Sequence, residues 1–327
     1  MRQMDFKLRT FDGYEISASL LGDVEPSGVA ALILSGSGVH GVDGNVSSPF
    51  VGQPLPGESG ALSEQIAEAL WNEKGVASLR IAKRGFDQTT SLDQHTLRHH
   101  VEDARTAFSY LKEKFQSVFV VGFSEGAWSA MLLAQDEPDV AQLILLSPLT
   151  ESIDDLLIYQ FVDWPLKKLW SFSDEKNQRL YLKDLEKAGV DRLPVLNLPL
   201  DSLKWENNQV DFQQLRKLYE EGYEKTREFL KTPPMNGWYN SLREGPSFKE
   251  VAQKIKCKVS VSVVEDDSQI RSEAATANCR LGFSCLKGIK SWDEMGHCFS
   301  PYIGHFEKTT GPIDPRVLMW IAEEVQG

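Results

Sequence analysis

The chain has 327 residues, 41% hydrophobic and 25% charged, an ordinary globular composition that supports a large core and excludes a disordered chain. Its formal net charge of −12 at pH 7 excludes a function built on a basic phosphate-binding face, so no nucleic-acid partner is expected. No apolar run reaches the roughly 18 residues of a membrane span, and Met1-Arg2-Gln3-Met4-Asp5-Phe6-Lys7 lacks an apolar signal region, so the default expectation is a cytoplasmic location.

Along the chain, Phe6 to Thr10 and Glu15 to Leu21 read as a hairpin around Asp12-Gly13. Val29 to Leu34 is short and wholly apolar, the pattern of a strand buried on both faces, and ends in Ser35-Gly36-Ser37-Gly38. Residues 39–60 are rich in Gly, Pro, Ser and Asn and read as a long loop. Leu62 to Trp71 has helical spacing through Leu62, Ile66, Ala69 and Leu70, with Gly75 as its stop. Val76 to Ile81 is the next strand. His95 to Lys114 is a helix with Leu97, Val101, Ala104, Phe108 and Leu111 on one face. Val118 to Val121 is a strand that runs into Gly122-Phe123-Ser124-Glu125-Gly126 and a helix, and Ala141 to Leu146 is a strand closed by Ser147-Pro148.

Strands alternating with helices imply a mostly parallel, doubly wound central sheet. From about Glu151 to Gly245 the alternation gives way to helical segments and loops with no convincing strand, Gln209 to Lys231 being the clearest helix. The aromatic residues there (Tyr159, Phe161, Trp164, Trp170, Phe172, Trp205, Trp238, Tyr239) read mostly as that segment's own core, with a minority facing a pocket. The alternation resumes with a helix at Phe248 to Lys254, a strand at Lys258 to Val264, a helix at Ser272 to Leu281, a strand at Cys285 to Ile289 and a final amphipathic helix at Pro315 to Val325. Residues 1–150 and 246–327 therefore form the sheet domain, and 151–245 an inserted helical cap.

Gly122-Phe123-Ser124-Glu125-Gly126 between a strand and a helix is where nucleophilic chemistry is expected. A sharp strand-to-helix turn lifts a serine hydroxyl clear of the backbone, and flanking glycines let the turn close. Ser124 then needs a histidine base and an orienting carboxylate. Two histidines follow it, His297 and His305; His297, just beyond the last strand, is preferred, and His305 reads as a loop or capping residue. Glu265-Asp266-Asp267 ends a strand at the sheet edge where ligand sites collect. Asp267 is preferred because Ile270, three residues on, re-enters the core; Asp266 is second, and either could simply cap the next helix. For an oxyanion, one backbone N–H is expected from Glu125 and another from Ser37, with Gly38 close behind. The Glu125 side chain has no evident role beside a developing negative charge.

Cys257, Cys279, Cys285 and Cys298 form no CxxC pair, so a structural metal site is not expected and free thiols are, with a Cys279–Cys285 disulfide as the alternative on spacing. Gly36-Ser37-Gly38-Val39-His40-Gly41 has dinucleotide-fingerprint spacing, but no helix starts there, so no cofactor is expected.

Together the Ser35–Gly38 loop, the Arg80 to Gly85 stretch, the Gly122–Gly126 turn, Asp267 and Gly296-His297 resemble the α/β-hydrolase superfamily over nearly the whole chain. With Asp43-Gly44-Asn45 and the Ser-Glu-Gly elbow, they are similar to a bacterial branch of esterases and dienelactone-hydrolase-like proteins with helical caps. The resemblance implies a serine hydrolase that cleaves carboxylic esters of small or medium acyl groups through an acyl-serine. Ser124 would attack, His297 would shuttle the proton and Asp267 would orient the imidazole. The chain departs from the family pattern at Ala127, where a third glycine is frequent, and at Glu265-Asp266, where a glycine usually precedes the acid. An acyltransferase, thioesterase or peptidase could use the same triad, and a binding protein could keep the fold without catalysis. The oligomeric state is open.

Overall fold

The computed structural model describes residues 2–24, 28–45, 60–86, 95–174, 179–203, 205–233, 235–302 and 311–325. Among the described residues eight strands form the main sheet: β1 (Gln3–Arg9), β2 (Glu15–Leu21), β3 (Val29–Leu34), β4 (Ala77–Ile81), β5 (Ser117–Phe123), β6 (Val140–Leu146), and, later in the chain, β10 (Lys258–Val264) and β11 (Leu286–Trp292). Their spatial order is β1-β2-β4-β3-β5-β6-β10-β11. β1 and β2 form the antiparallel hairpin, with Phe6 opposite Ala18, β2 meets β4 antiparallel, and the remaining neighbours are parallel. This is the α/β-hydrolase fold, a mostly parallel sheet flanked by helices.

Period-two side-chain direction explains why the central strands are apolar throughout. In β3, Ala30, Leu32 and Leu34 enter one core, while Ala31 and Ile33 enter the core on the opposite face. In β5, Val118 and Val120 join the first, and Phe119, Val121 and Phe123 the second. Helices α2 (Leu97–Lys112), α3 (Glu125–Asp136), α9 (Phe248–Ala252) and α10 (Ser272–Gly282) cover the first face. Helices α1 (Leu62–Lys74) and α11 (Pro315–Glu324) cover the second and touch each other. Both faces being sealed, polar groups gather at the strand ends, and the site forms there.

Between β6 and β10 the chain builds α4 (Ile153–Ile158), a π-helical turn (Tyr159–Asp163), α5 (Trp164–Trp170), α6 (Leu182–Lys187), α7 (Phe212–Leu230) and α8 (Asn236–Arg243). Among the described residues, seventeen buried ones between Ile153 and Tyr239 make a third core of their own. This segment is not purely helical: β7 (Ser173–Asp174), β8 (Arg179–Tyr181) and β9 (Gln209–Asp211) form a small antiparallel sheet. Gln209 to Asp211, expected in the helix, is its third strand, and Asp211 ends it by capping α7 through a bond from the Gln213 N–H (2.7 Å). The last sheet strand also runs past Ile289 to Trp292, whose Nε1–H donates to Ser262 Oγ on β10 at 2.7 Å. The four cysteines are free thiols, including Cys279 and Cys285.

Candidate active site

Ser124 links β5 to α3 with φ 53° and ψ −118°, a left-handed conformation that a non-glycine residue adopts only under constraint. Its N–H is tied to the Leu146 carbonyl at the end of β6 (2.8 Å). The flanking glycines are needed for close approach. A Cβ on Gly122 would lie 2.6 Å from Ala127 Cα, and one on Gly126 would run into the carbonyls of Leu34 and Ser35. The turn is thus pressed against the end of β3, and Ser124 shares a cavity wall with Ser35, Gly36, Ser37 and His297.

His297 and Asp267 meet at this end of the sheet, both almost wholly buried. His297 Nδ1 lies 2.8 Å from Asp267 Oδ2 and 2.9 Å from Oδ1. Asp267 Oδ1 also accepts from the N–H groups of Gln269 (2.7 Å) and Ile270 (3.0 Å), and Oδ2 from Ser147 Oγ–H (3.0 Å). Tyr159 of the π-helical turn donates its hydroxyl to the Asp267 carbonyl at 2.7 Å, and the Phe123 ring lies 4.9 Å from the His297 ring. Asp266 goes elsewhere: its carboxylate, about a third exposed, pairs with Lys168 and, at 3.8 Å, with Lys167. His305 lies outside the described residues.

Ser37 is exposed to the cavity on the loop after β3, and its carbonyl lies 2.7 Å from His40 Nε2. Glu125 supplies the first N–H of α3. Its side chain, itself fully buried, turns away from the cavity into a cluster that sequence reasoning missed. Oε1 accepts from Lys83 Nζ (2.9 Å) and lies 2.7 Å from His100 Nδ1, while Oε2 accepts from Trp238 Nε1–H (2.7 Å). Burial opposes ionisation of Glu125, but Lys83 and His100 outweigh it and hold the carboxyl well below its usual range. Burial, reinforced by Lys83, pushes His100 down to about 4, so the ring is neutral at pH 7. His95, whose Nδ1 lies 3.2 Å from His100 Nε2, is pushed down by burial too. Ser147, read from sequence as a mere strand end, was also missed. No local signal marks Lys83, His100 or Trp238, because their partners are 25 to 113 residues away.

The cavity above these groups has a volume of about 900 Å³. Phe123, Phe161, Trp164, Leu193 and Val195 give it an apolar lining, and Gln160 and Gln269 add amides. Phe161 and Trp164 are the aromatics of the inserted segment that face it. Among its described lining residues the one carboxylate is Asp191, exposed on the rim. Among the described residues no three His, Cys, Asp or Glu side chains gather as metal ligands, and no helix is long and apolar enough to cross a membrane. The arrangement places a serine hydroxyl and a carboxylate-bound imidazole on the wall of one largely apolar cavity, with the Ser37 loop beside them.

Residues 57–300, most of the chain, match the family model described as serine aminopeptidase, S33. No curated protein matches the sequence. Among solved structures the chain is similar to Est1E from Butyrivibrio proteoclasticus, with TM-score 0.54, 17% identity and coverage of 98% of this chain and 97% of that one. A structure of the same Est1E with ferulic acid bound gives TM-score 0.52 at 16% identity, covering 98% and 96%. The proline iminopeptidase of Mycobacterium smegmatis gives 0.55 at 12% identity, covering 99% and 98%. At these identities the likeness is one of fold.

Proposed function

This chain belongs to the serine aminopeptidase S33 family and is a hydrolase, and we propose that it cleaves carboxylic esters of small or medium acyl groups through an acyl-serine intermediate. The observation that carries the reading is that Ser124 and His297 share the wall of one apolar cavity while both Asp267 oxygens lie within 2.9 Å of His297 Nδ1. In this mechanism Asp267 accepts the Nδ1–H bond and leaves Nε2 as the basic nitrogen. His297 Nε2 takes the Ser124 proton as Oγ attacks the ester carbonyl carbon. The carbonyl oxygen becomes an oxyanion and accepts from the N–H groups of Ser37 and Glu125. On collapse the C–O bond breaks and the imidazolium protonates the departing alcohol. Water, deprotonated by the same nitrogen, then releases the acid.

The family description favours a second reading, an aminopeptidase. Such an enzyme must pair the substrate's α-ammonium with a desolvated carboxylate, and Asp191 on the open rim is poorly placed for that. Ester hydrolysis is therefore preferred, and residues 151–245 act as the cap that supplies Phe161 and Trp164 to the acyl pocket. The test is hydrolysis of p-nitrophenyl esters from acetyl to dodecanoyl, a feruloyl ester and aminoacyl p-nitroanilides, by wild type and Ser124→Ala. Ester turnover lost in Ser124→Ala supports the proposal. Turnover confined to the anilides overturns the ester assignment, and full activity in Ser124→Ala overturns the mechanism.

A further inference from the structure

We propose that Lys83 and Glu125 are positioning residues whose buried ion pair aims both N–H donors of the oxyanion hole, and that Trp238 couples this pair to the inserted segment. The inference rests on the acyl-serine reading above. Lys83 Nζ donates at once to Glu125 Oε1 (2.9 Å) and to the Gly36 carbonyl (2.5 Å). That carbonyl belongs to the same peptide as the Ser37 N–H. In a planar trans peptide the two bonds point in opposite directions. Holding the Gly36 oxygen on the Lys83 side therefore turns the Ser37 N–H away from Lys83, and Ser37 lines the cavity.

The loop needs such a hold. Ser35-Gly36-Ser37-Gly38 is glycine-rich, Gly38 has φ 100°, and a peptide between such residues rotates at little cost. His40 braces it further along, its ring nitrogens 2.7 Å from the Ser37 carbonyl and 2.8 Å from that of Gly44. Lys83 also does what a neutral donor would not: a cation on the amide oxygen polarises the peptide and makes its N–H a stronger donor. The other end of the pair acts on the second donor. Glu125 carries the α3 N–H expected to face the oxyanion, and its side chain is fixed behind by Lys83, His100 and Trp238.

Lys83 is itself held from the neighbouring residue. Arg84, 1% exposed, makes two bonds to Asp103 on α2 (2.6 and 2.7 Å) and further bonds to Asp12. Trp238 lies on α8, and Ser241 one turn on accepts the Leu97 N–H (3.0 Å), so the seat of α8 on α2 sets where the indole meets Glu125. A buried ion pair is seldom the most stabilising filling for such a space. Its position behind both donors gives it a use that apolar packing would not serve.

The test uses Lys83→Met, the charge-neutral double variant Lys83→Met/Glu125→Gln, and Trp238→Phe. Each is assayed for kcat and KM on p-nitrophenyl butyrate, for Ki of an alkyl trifluoromethyl ketone, and for Tm. The ketone's serine adduct carries the oxyanion, so its Ki reads the hole directly. Lys83→Met and the double variant are expected to lower kcat about 100-fold and raise Ki in parallel, with KM within about threefold. The double variant leaves no unpaired buried charge, so its Tm should stay near wild type. Trp238→Phe loses one donor from a half-buried side chain and should show the same pattern at about three- to tenfold; it decides the matter if neither Lys83 variant folds. Folded variants with wild-type kcat and Ki overturn the inference. If those same variants keep kcat while Ser124→Ala is inactive, this inference alone fails; if Ser124→Ala is fully active, the acyl-serine reading fails with it.

Discussion

Replacing Asp267 by Asn perturbs one atom, and the structure fixes the consequence. Oδ1 already accepts two backbone N–H groups, from Gln269 and Ile270. The asparagine must therefore place its carbonyl oxygen there and its NH2 at the Oδ2 position. That NH2 meets Ser147 Oγ, which can rotate its hydrogen away and accept, and His297 Nδ1, which can accept only if unprotonated. Every hydrogen bond is then satisfied, so folding is preserved. The ring is forced into the tautomer with its proton on Nε2, the nitrogen that must take the Ser124 proton. A wrong tautomer of this kind costs about 10⁴-fold in kcat, or about 5 kcal/mol of transition-state stabilisation. The assay is kcat/KM on p-nitrophenyl butyrate with Ser124→Ala as background, beside Tm and ¹⁵N shifts of the His297 ring. Asp266→Asn is the control and should stay within about threefold of wild type, since its carboxylate pairs with Lys167 and Lys168 and not with His297. An Asp267→Asn protein with more than a tenth of wild-type activity would refute the reasoning.

Stability should fall with acid. His100 titrates near 4 in the folded chain against 6.5 as its reference value, so between those pH values the unfolded chain binds the extra proton and stability rises with pH. Going from pH 6.5 to 4 should cost about 3 kcal/mol from this residue, read as a falling urea midpoint; a flat midpoint in wild type would contradict the buried cluster, and His100→Gln should reduce the slope. Gly126→Ala places a methyl against the carbonyls of Leu34 and Ser35 and should destabilise by at least about 2 kcal/mol in chemical denaturation; an unchanged midpoint would show that the turn does not press on β3. Phe161→Ala enlarges the cavity and should move the ester chain-length optimum toward longer acyl groups; an unmoved optimum would place the acyl chain elsewhere.

What could be read in the sequence follows from the range of the forces involved. β3, β5, β6 and β10 are buried on both faces, so their apolar runs are visible in a few residues. The turn at Ser124 carries its own glycines. Ile270, the residue that favours Asp267 over Asp266 in the sequence, is 2% exposed and its N–H bonds to Asp267 Oδ1. The small sheet escaped because two- and three-residue strands are too short to show a period, and Gln209 to Asp211 continues into a strongly amphipathic helix. The Glu125 cluster escaped for another reason. Its members come from the loop after β4, from α2, from α3 and from α8, and only the tertiary fold brings Lys83, His100 and Trp238 onto one carboxylate. Glu125 is next to the expected oxyanion in sequence, but its side chain is held by Lys83, His100 and Trp238 and does not line the cavity. Ser147, with φ 44° and its hydroxyl on Asp267, looked like the end of a strand.

The measurement that bears most directly on the account is stoichiometric labelling with a fluorophosphonate, followed by peptide mapping of the adduct. The account predicts one label per chain, on Ser124, with loss of esterase activity in proportion, and no label on Ser124→Ala or on urea-unfolded protein. Folded wild type that takes no label, or an adduct that persists in Ser124→Ala, would contradict it.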